Sequence, residues 1–237
     1  MIGAPKISVV TVVYNDKEGL QKTIDSVTSL NYDNIEFIVI DGGSNDGTAE
    51  LMRKYESNID YWVSEADDGI YDAMNKGIKV ATGDWVNFMN AGDYFANKNV
   101  LNEMDFTANK KADILYGYKI TKGKLFYPMN IKNLEIGVIF GNHQSMFFNK
   151  NKLQHELYYD EKYKIYADYE LVNRIYKQKN SVLNFVNVLV ADFEWGGISA
   201  KPSMQKRKDK YKIVYKSYGI IGVLRAIAYR ILKKKII

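Results

Sequence analysis

In the first half of the chain, short β-rich apolar runs alternate with stretches whose apolar residues recur every three or four positions. Ile7–Val13 reads as a buried strand, and Lys17–Leu30 as a helix with Leu20, Ile24, Val27 and Leu30 on one face. Glu36–Asp41 reads as a second strand, Thr48–Tyr55 as a helix, and Tyr61–Ser64 and Trp85–Asn90 as further strands. Ile70, Ala73, Met74, Gly77, Ile78 and Ala81 fall at helical spacing, which predicts a helix over Ile70–Ala81. Strands joined through helices by short connections imply a mostly parallel α/β sheet with crossovers. In such sheets ligands bind beyond the carboxyl ends of the strands. That rule directs attention to Tyr14-Asn15, Asp41-Gly42-Gly43 and Asn90-Ala91-Gly92-Asp93.

The second half is less regular. Asp113–Ile120 and Gln144–Asn149 read as strands, Ala167–Gln178 as a helix, and Ser181–Phe193 as one or two strands. No internal repeat or low-complexity linker interrupts them, and Pro202 marks a break. The expectation is one body over residues 1–200 and a tail over 201–237. The tail predicts one or two amphipathic helices interrupted near Gly219 and Gly222, with Ile220, Leu224, Ile227 and Ile231 on one stripe.

Charge sharpens that division. The 237 residues hold 33 Lys+Arg against 28 Asp+Glu, but 12 of the basic residues and a single acid, Asp209, lie from Lys201 onward. The first 200 residues therefore carry 21 basic and 27 acidic residues, and the basic balance belongs to the tail alone. Basic residues around an apolar stripe suit the surface of an anionic bilayer. A helix packed on the body with a solvated basic face is the competing reading. Nucleic acid is not an expected partner, because no recognised binding fold accompanies the charge. Nothing approaches the roughly 18 apolar residues of a membrane span. Met1–Lys6 lacks the basic start and apolar core of a secretion signal. The expected location is the cytoplasm, peripherally on the inner face of the membrane. Cysteine is absent and only His143 and His155 occur, so thiolate chemistry and a histidine-rich metal centre are excluded.

Four places could carry chemistry. Asp41, at a strand's end before glycines, could accept hydrogen bonds from a nucleobase or ribose, or could simply stabilise a tight turn. Asp93 could hold a hard divalent cation against diphosphate oxygens, or belong to an Asx turn. Three acids before Ile70 suit a helix N-terminus, where Asn75 could reach a ribose or base and Lys76 is expected in solvent. Asp168 suits both a helix cap and a general base, and His143-Gln144 suits both a polar pair and a diphosphate or metal contact.

Taken in order, Ser8–Asn15, Ile40-Asp41-Gly42-Gly43-Ser44-Asn45-Asp46-Gly47-Thr48 and Asn90-Ala91-Gly92-Asp93 resemble the family-2 glycosyltransferases of GT-A fold. Ser64–Gly77, His143-Gln144-Ser145 and Ala167-Asp168-Tyr169-Glu170-Leu171 resemble the branch that builds bacterial surface polysaccharides. The resemblance covers Lys6 to Ser199. It implies a nucleotide-diphospho-sugar donor (a UDP-sugar above others), Mn2+ or Mg2+, inversion at the anomeric carbon, and a lipid-linked or lipopolysaccharide glycan as acceptor. By position it implies Thr11 and Tyr14 beside the base, Asp41 accepting from the base, and Asp67 and Asn75 lining the donor pocket. Asp93 matches the metal-binding end of the family's Asp-x-Asp element, and Asp168 its catalytic base. Trp195-Gly196-Gly197-Ile198-Ser199 resembles a segment that closes over the donor. The usual acidic pair is reduced here to Asn-Ala-Gly-Asp, with His143 as a candidate compensating contact. That reduction leaves a sugar-nucleotide-binding scaffold as a second reading. A sugar nucleotidyltransferase is a third, although Val10–Asn15 lacks its phosphate loop.

Overall fold

A computed structural model describes residues 3–193 and 203–234. The Trp195–Ser199 segment lies outside the described residues. Among the described residues nine strands form one sheet: β1 (Ile7–Val13), β2 (Ile35–Asp41), β3 (Tyr61–Ser64), β4 (Trp85–Phe88), β5 (Tyr94–Phe95), β6 (Ile114–Thr121), β7 (Lys124–Phe126), β8 (Met146–Asn149) and β9 (Leu183–Asp192). Seven α-helices accompany them among the described residues: α1 (Lys17–Thr28), α2 (Thr48–Lys54), α3 (Ile70–Val80), α4 (Val100–Glu103), α5 (Lys150–Leu153), α6 (Ala167–Tyr176) and α7 (Met204–Lys234).

The strand order is β3-β2-β1-β4-β8-β6-β9-β5, with β7 added to β6. The first four strands pair in parallel, as alternation with helices requires. From β8 onward the sheet is mixed, because β8 runs antiparallel to both β4 and β6 while β9 is parallel to β6. β1 is buried along its whole length. Val10 and Val12 pack with α3 and α6, whereas Ile7, Val9 and Val13 pack with α1 on the other face.

Strand polarity gathers several chain segments at one edge. The carboxyl ends of β1 to β4 meet there, and the reversal of β8 brings the His143–Ser145 turn to the same edge. β6 and β9 then contribute their own carboxyl ends, Lys119 to Thr121 and Asp192. At the opposite edge Glu36 ties three segments together. It accepts from Ser8 Oγ at 2.5 Å, from the Thr82 backbone N–H at 2.7 Å and from Lys6 Nζ at 2.9 Å.

The tail folds as one helix broken at Gly219, where φ is 65° and ψ −162°. Its first half shares the body's core, since Ile213 and Val214 are buried in the cluster that contains α3 and α6.

Candidate active site

Asp41 closes β2, level with Val13 on one side and Ser64 on the other. It is fully buried, and its carboxylate accepts from the Ser44 N–H at 3.1–3.2 Å, from the Ser44 hydroxyl, and from Ser64 Oγ at 2.5 Å. These bonds curl the Gly42-Gly43 turn tightly over the strand end. A Cβ at Gly42 would stand 2.4 Å from Asp67 Oδ2 and 3.4 Å from Tyr14 Cδ2. Tyr14, Gly42 and Asp67 therefore converge, and the Tyr14 ring is 64% exposed at that point. Asp67 also accepts from the Gly69 N–H at 2.8 Å, which sets the entry to α3.

Two residues that the resemblance assigns to the donor pocket have their polar atoms committed elsewhere. Thr11 is fully buried beneath the edge and donates its hydroxyl to the Met89 carbonyl at 2.7 Å. Asn75 clamps a distant segment: its amide donates to the Tyr159 carbonyl and Glu161, and its Oδ1 accepts from the Tyr159 N–H at 2.8 Å. Lys76, expected in solvent, is partly exposed and joins Glu65 at 2.9 Å and Asp72 at 3.5 Å.

The turn after β4 holds Asp93 almost fully buried, with Gln144 Nε2 donating to its Oδ2 at 2.8 Å. In the same cluster Asn90 Nδ2 lies 3.1 Å from His143 Nε2. Burial, and then the Lys119 ammonium, push the imidazole of His143 down to about 4, so the ring is neutral at physiological pH. Burial lowers Lys119 itself to about 8, against the pull of Asp93. Lys119 donates to Asn142 Oδ1 and stands 4.0 Å from the Phe193 ring centroid.

Asn87 Oδ1, Asn90 Oδ1 and Gln144 Oε1 are buried in this region without a hydrogen-bond partner among the described residues. Among the described residues no group of three His, Cys, Asp or Glu side chains converges as a metal cage. One carboxylate with neutral oxygen donors nearby fits Mg2+ or Mn2+, which keep water and phosphate oxygens in their shell, and does not fit a soft metal. Beside the cluster a cavity of about 130 Å³ is lined by Lys119, Phe126, Tyr127, Phe140, Asn142 and Ser145, among others.

Asp168 lies in the first turn of α6. The cap position belongs to Tyr166, whose side chain makes no capping bond, so Asp168 does not occupy the cap slot. Its Oδ1 accepts from the Tyr169 N–H at 2.7 Å and lies 3.5 Å from the Tyr71 hydroxyl. Burial raises its carboxyl to about 6, outweighing the Tyr169 N–H, the Lys206 charge and Tyr71. The Tyr71 hydroxyl is anchored on the Ile165 carbonyl at 2.9 Å, and its ring stacks on Tyr159 at 5.2 Å. The buried Tyr159 hydroxyl has no hydrogen-bond partner among the described residues, and burial and then the Asp168 charge push its pKa well above the ordinary phenol value. Because Tyr71 opens α3 just after β3, Asp168 stands near the same carboxyl edge as Asp41 and Asp93. Glu170 faces elsewhere and pairs with Arg174 at 3.2 Å.

Lys119, Tyr71 and Tyr159 are residues that sequence reasoning passed over. Lys119 is a lone cation in a strand and gives no pattern. The tyrosines did leave a signal, because Tyr158, Tyr159, Tyr163, Tyr166 and Tyr169 crowd the approach to Asp168.

The sequence model of Glycosyl transferase family 2 matches residues 8–181. An uncharacterised glycosyltransferase of Mycobacterium tuberculosis is 35% identical over 185 residues, covering 73% of this chain and 70% of that protein. A PGL/p-HBAD biosynthesis glycosyltransferase of Mycobacterium bovis is 26% identical over 206 residues, covering 84% and 80%. Among solved structures, S. aureus TarS 1–349 in complex with UDP superposes with a TM-score of 0.72 at 18% identity. That match covers 90% of this chain, which spans 65% of that structure's length. A mannosyltransferase from Pyrobaculum calidifontis in complex with GDP-Man and Mn2+ gives 0.64 at 15% identity, covering 96% and 74%. These likenesses establish the GT-A fold.

Proposed function

This chain belongs to glycosyl transferase family 2, and on that premise we propose that it moves a sugar from a nucleotide-diphospho-sugar to a glycan hydroxyl with inversion. The observation that carries the reading is the environment of Asp168: one carboxylate, raised to about 6 by burial among Tyr71, Tyr159 and Tyr166, near the sheet edge that holds Asp93. A sugar hydroxyl is a weak nucleophile at neutral pH. Asp168 accepts its proton as the new bond forms at the anomeric carbon, and the bond to the diphosphate breaks with its electron pair on the leaving oxygen. General-base help of this kind is worth about 10²–10⁴-fold.

The donor's base is assigned to the face formed by exposed Tyr14, Gly42 and Asp67, with Asp41 beneath holding the turn. Asp93 is the group to hold Mn2+ or Mg2+, with the amide oxygens of Asn90 and Gln144 in its neighbourhood. The cation, when bound, offsets charge on the departing diphosphate. Lys119, while protonated, adds a positive charge beside Asp93. UDP or UDP-GlcNAc bound to TarS supports a uridine donor for this chain. The acceptor assigned is a lipid-linked or lipopolysaccharide glycan of the cell surface, reached from the cytoplasmic face.

Turnover of Asp168→Asn tests the reading. Transfer is expected to fall by about 10²–10⁴-fold while donor affinity stays within a factor of a few. Wild-type turnover in that variant would remove Asp168 from the mechanism. The competing scaffold reading rests on the single carboxylate of the Asn-Ala-Gly-Asp element. Slow Mn2+-dependent hydrolysis of a UDP-sugar by the wild-type chain would exclude it.

A further inference from the structure

Gly219 divides α7 into two halves with opposite surroundings. Its φ and ψ lie outside the helical range, so two rods meet there at a bend. The first rod turns inward: Asp209, Ile213 and Val214 are buried against the body. The second rod is held by a narrow strip in which Gly222 and Ala226, four residues apart, are buried. A Cβ at Gly222 would stand 2.5 Å from Tyr218 Cβ and 3.2 Å from Val214 Cγ1, so a small residue is what lets this rod approach.

The outward side is aliphatic. Ile220, Ile221, Leu224, Ile227, Ile231 and Leu232 are each 40–62% exposed. At 3.6 residues per turn they share one continuous arc of roughly 140°, facing away from the buried strip. A contiguous apolar surface of this kind marks an interaction site. Arg225 borders the arc and stays mostly exposed although it lies 3.7 Å from Glu135. From residue 220 to 237 the sequence has five basic residues and no acid.

We infer that the half of α7 beyond Gly219 is a docking helix for the surface of an anionic bilayer, with its aliphatic arc set among the upper acyl chains. Charge selects this occupant. Two copies meeting on these faces would bring like charges together, whereas anionic headgroups complement them. No helix of the described residues is long and apolar enough to cross a membrane. The first rod also runs beside the site, since Lys206 stands over the Tyr166 ring at 5.9 Å and lowers Asp168. Docking would thus hold Asp168 near acceptors presented from the membrane, a consequence that rests on the transferase reading.

Flotation of the full chain with vesicles tests the docking. Binding is expected to phosphatidylcholine vesicles containing phosphatidylglycerol, falling in high salt and weaker on phosphatidylcholine alone. Leu224→Glu with Ile231→Glu should weaken partition about 10- to 100-fold. Arg225→Gln with Arg230→Gln should weaken it about fivefold per charge. Unchanged melting temperature and unchanged UDP-sugar hydrolysis in these variants would separate docking from folding and from the chemistry. Failure of the wild-type chain to float, or full partition by the Leu224/Ile231 variant, would overturn the inference. A dimer in sedimentation velocity that the same variant dissolves, without vesicle binding, would overturn it in favour of a second copy.

Discussion

Gly42 and Gly43 stand side by side over β2 and would respond to substitution in different ways. A methyl at Gly42 meets the far end of a side chain, Asp67 Oδ2, which can swing aside. Gly42→Ala is therefore expected to leave stability within about 1 kcal/mol and to weaken nucleotide binding by displacing Asp67, read by calorimetric titration with UDP. Gly43 has φ of 81° and faces the Ala66 backbone, which cannot move so cheaply. Gly43→Ala should cost about 1–2 kcal/mol in urea unfolding. Asp168 carries an instability that its burial imposes. Its carboxyl is raised from 3.8 to about 6, so burying the charge destabilises the fold above pH 6, and the penalty fades as pH falls toward 4. Asp168→Asn keeps the acceptor for the Tyr169 N–H and removes the charge. It should gain about 1–3 kcal/mol at pH 7.5 and nothing near pH 4, followed by thermal melts across pH. In the wild-type enzyme the acid limb of kcat/KM should fall near pH 6, because the protonated carboxyl cannot take a proton.

At the scale of elements, the clamp at the foot of the sheet matters most. Glu36 on β2 gathers Lys6, Ser8 of β1 and Thr82 beyond α3. Burial would raise its carboxyl, but the hydrogen bonds from Ser8, Thr82 and Lys6 outweigh that and hold it at about 2. A depressed carboxyl stabilises above its unfolded value of 4.5, and that stability is lost as pH falls toward 2. Glu36→Gln should therefore cost about 2–3 kcal/mol at pH 7 and progressively less in acid, measured by urea titration. The elements this clamp joins were the legible ones. β1 to β4 and α1 to α3 follow their expected bounds within two residues, because long buried stretches impose one period on the sequence. β5, β7, α4 and α5 are two to four residues long, too short to show a period. Gln144 and Ser145 read as the start of a strand but belong to the separate His143–Ser145 turn, since β8 pairs only from Met146.

For the whole molecule, the proposed donor face draws on the turns after β1 and β2 and the approach to α3, while Asp93 and Gln144 come from beyond β4. A donor bridging these parts stabilises all of them together. A UDP-sugar with Mn2+ at about 100 times its Kd adds about 2.7 kcal/mol. For a chain of this size that is a rise in Tm of about 5–10 °C. Addition of a chelator should remove most of the shift if Asp93 holds the cation. The charge division also operates at this scale: 12 basic residues and one acid lie from Lys201 onward, against a net acidic body. The structure then splits that tail at Gly219, so that one rod completes the core and the other presents its aliphatic arc outward.

The order of strands and helices in the first half, the carboxyl-edge location of Asp41 and Asp93, and the basic amphipathic tail were all determined by the sequence alone. Each is a local consequence of side-chain period, turn chemistry or charge count. Only tertiary structure decided that Thr11 spends its hydroxyl on Met89, that Asn75 clamps the Tyr159 segment, and that Lys119 and the tyrosines gather near Asp93 and Asp168. Those contacts join residues far apart in the chain, and what a polar atom bonds depends on which distant segment the fold packs against it. Periodicity records only whether a position faces inward; it does not record what the position meets there.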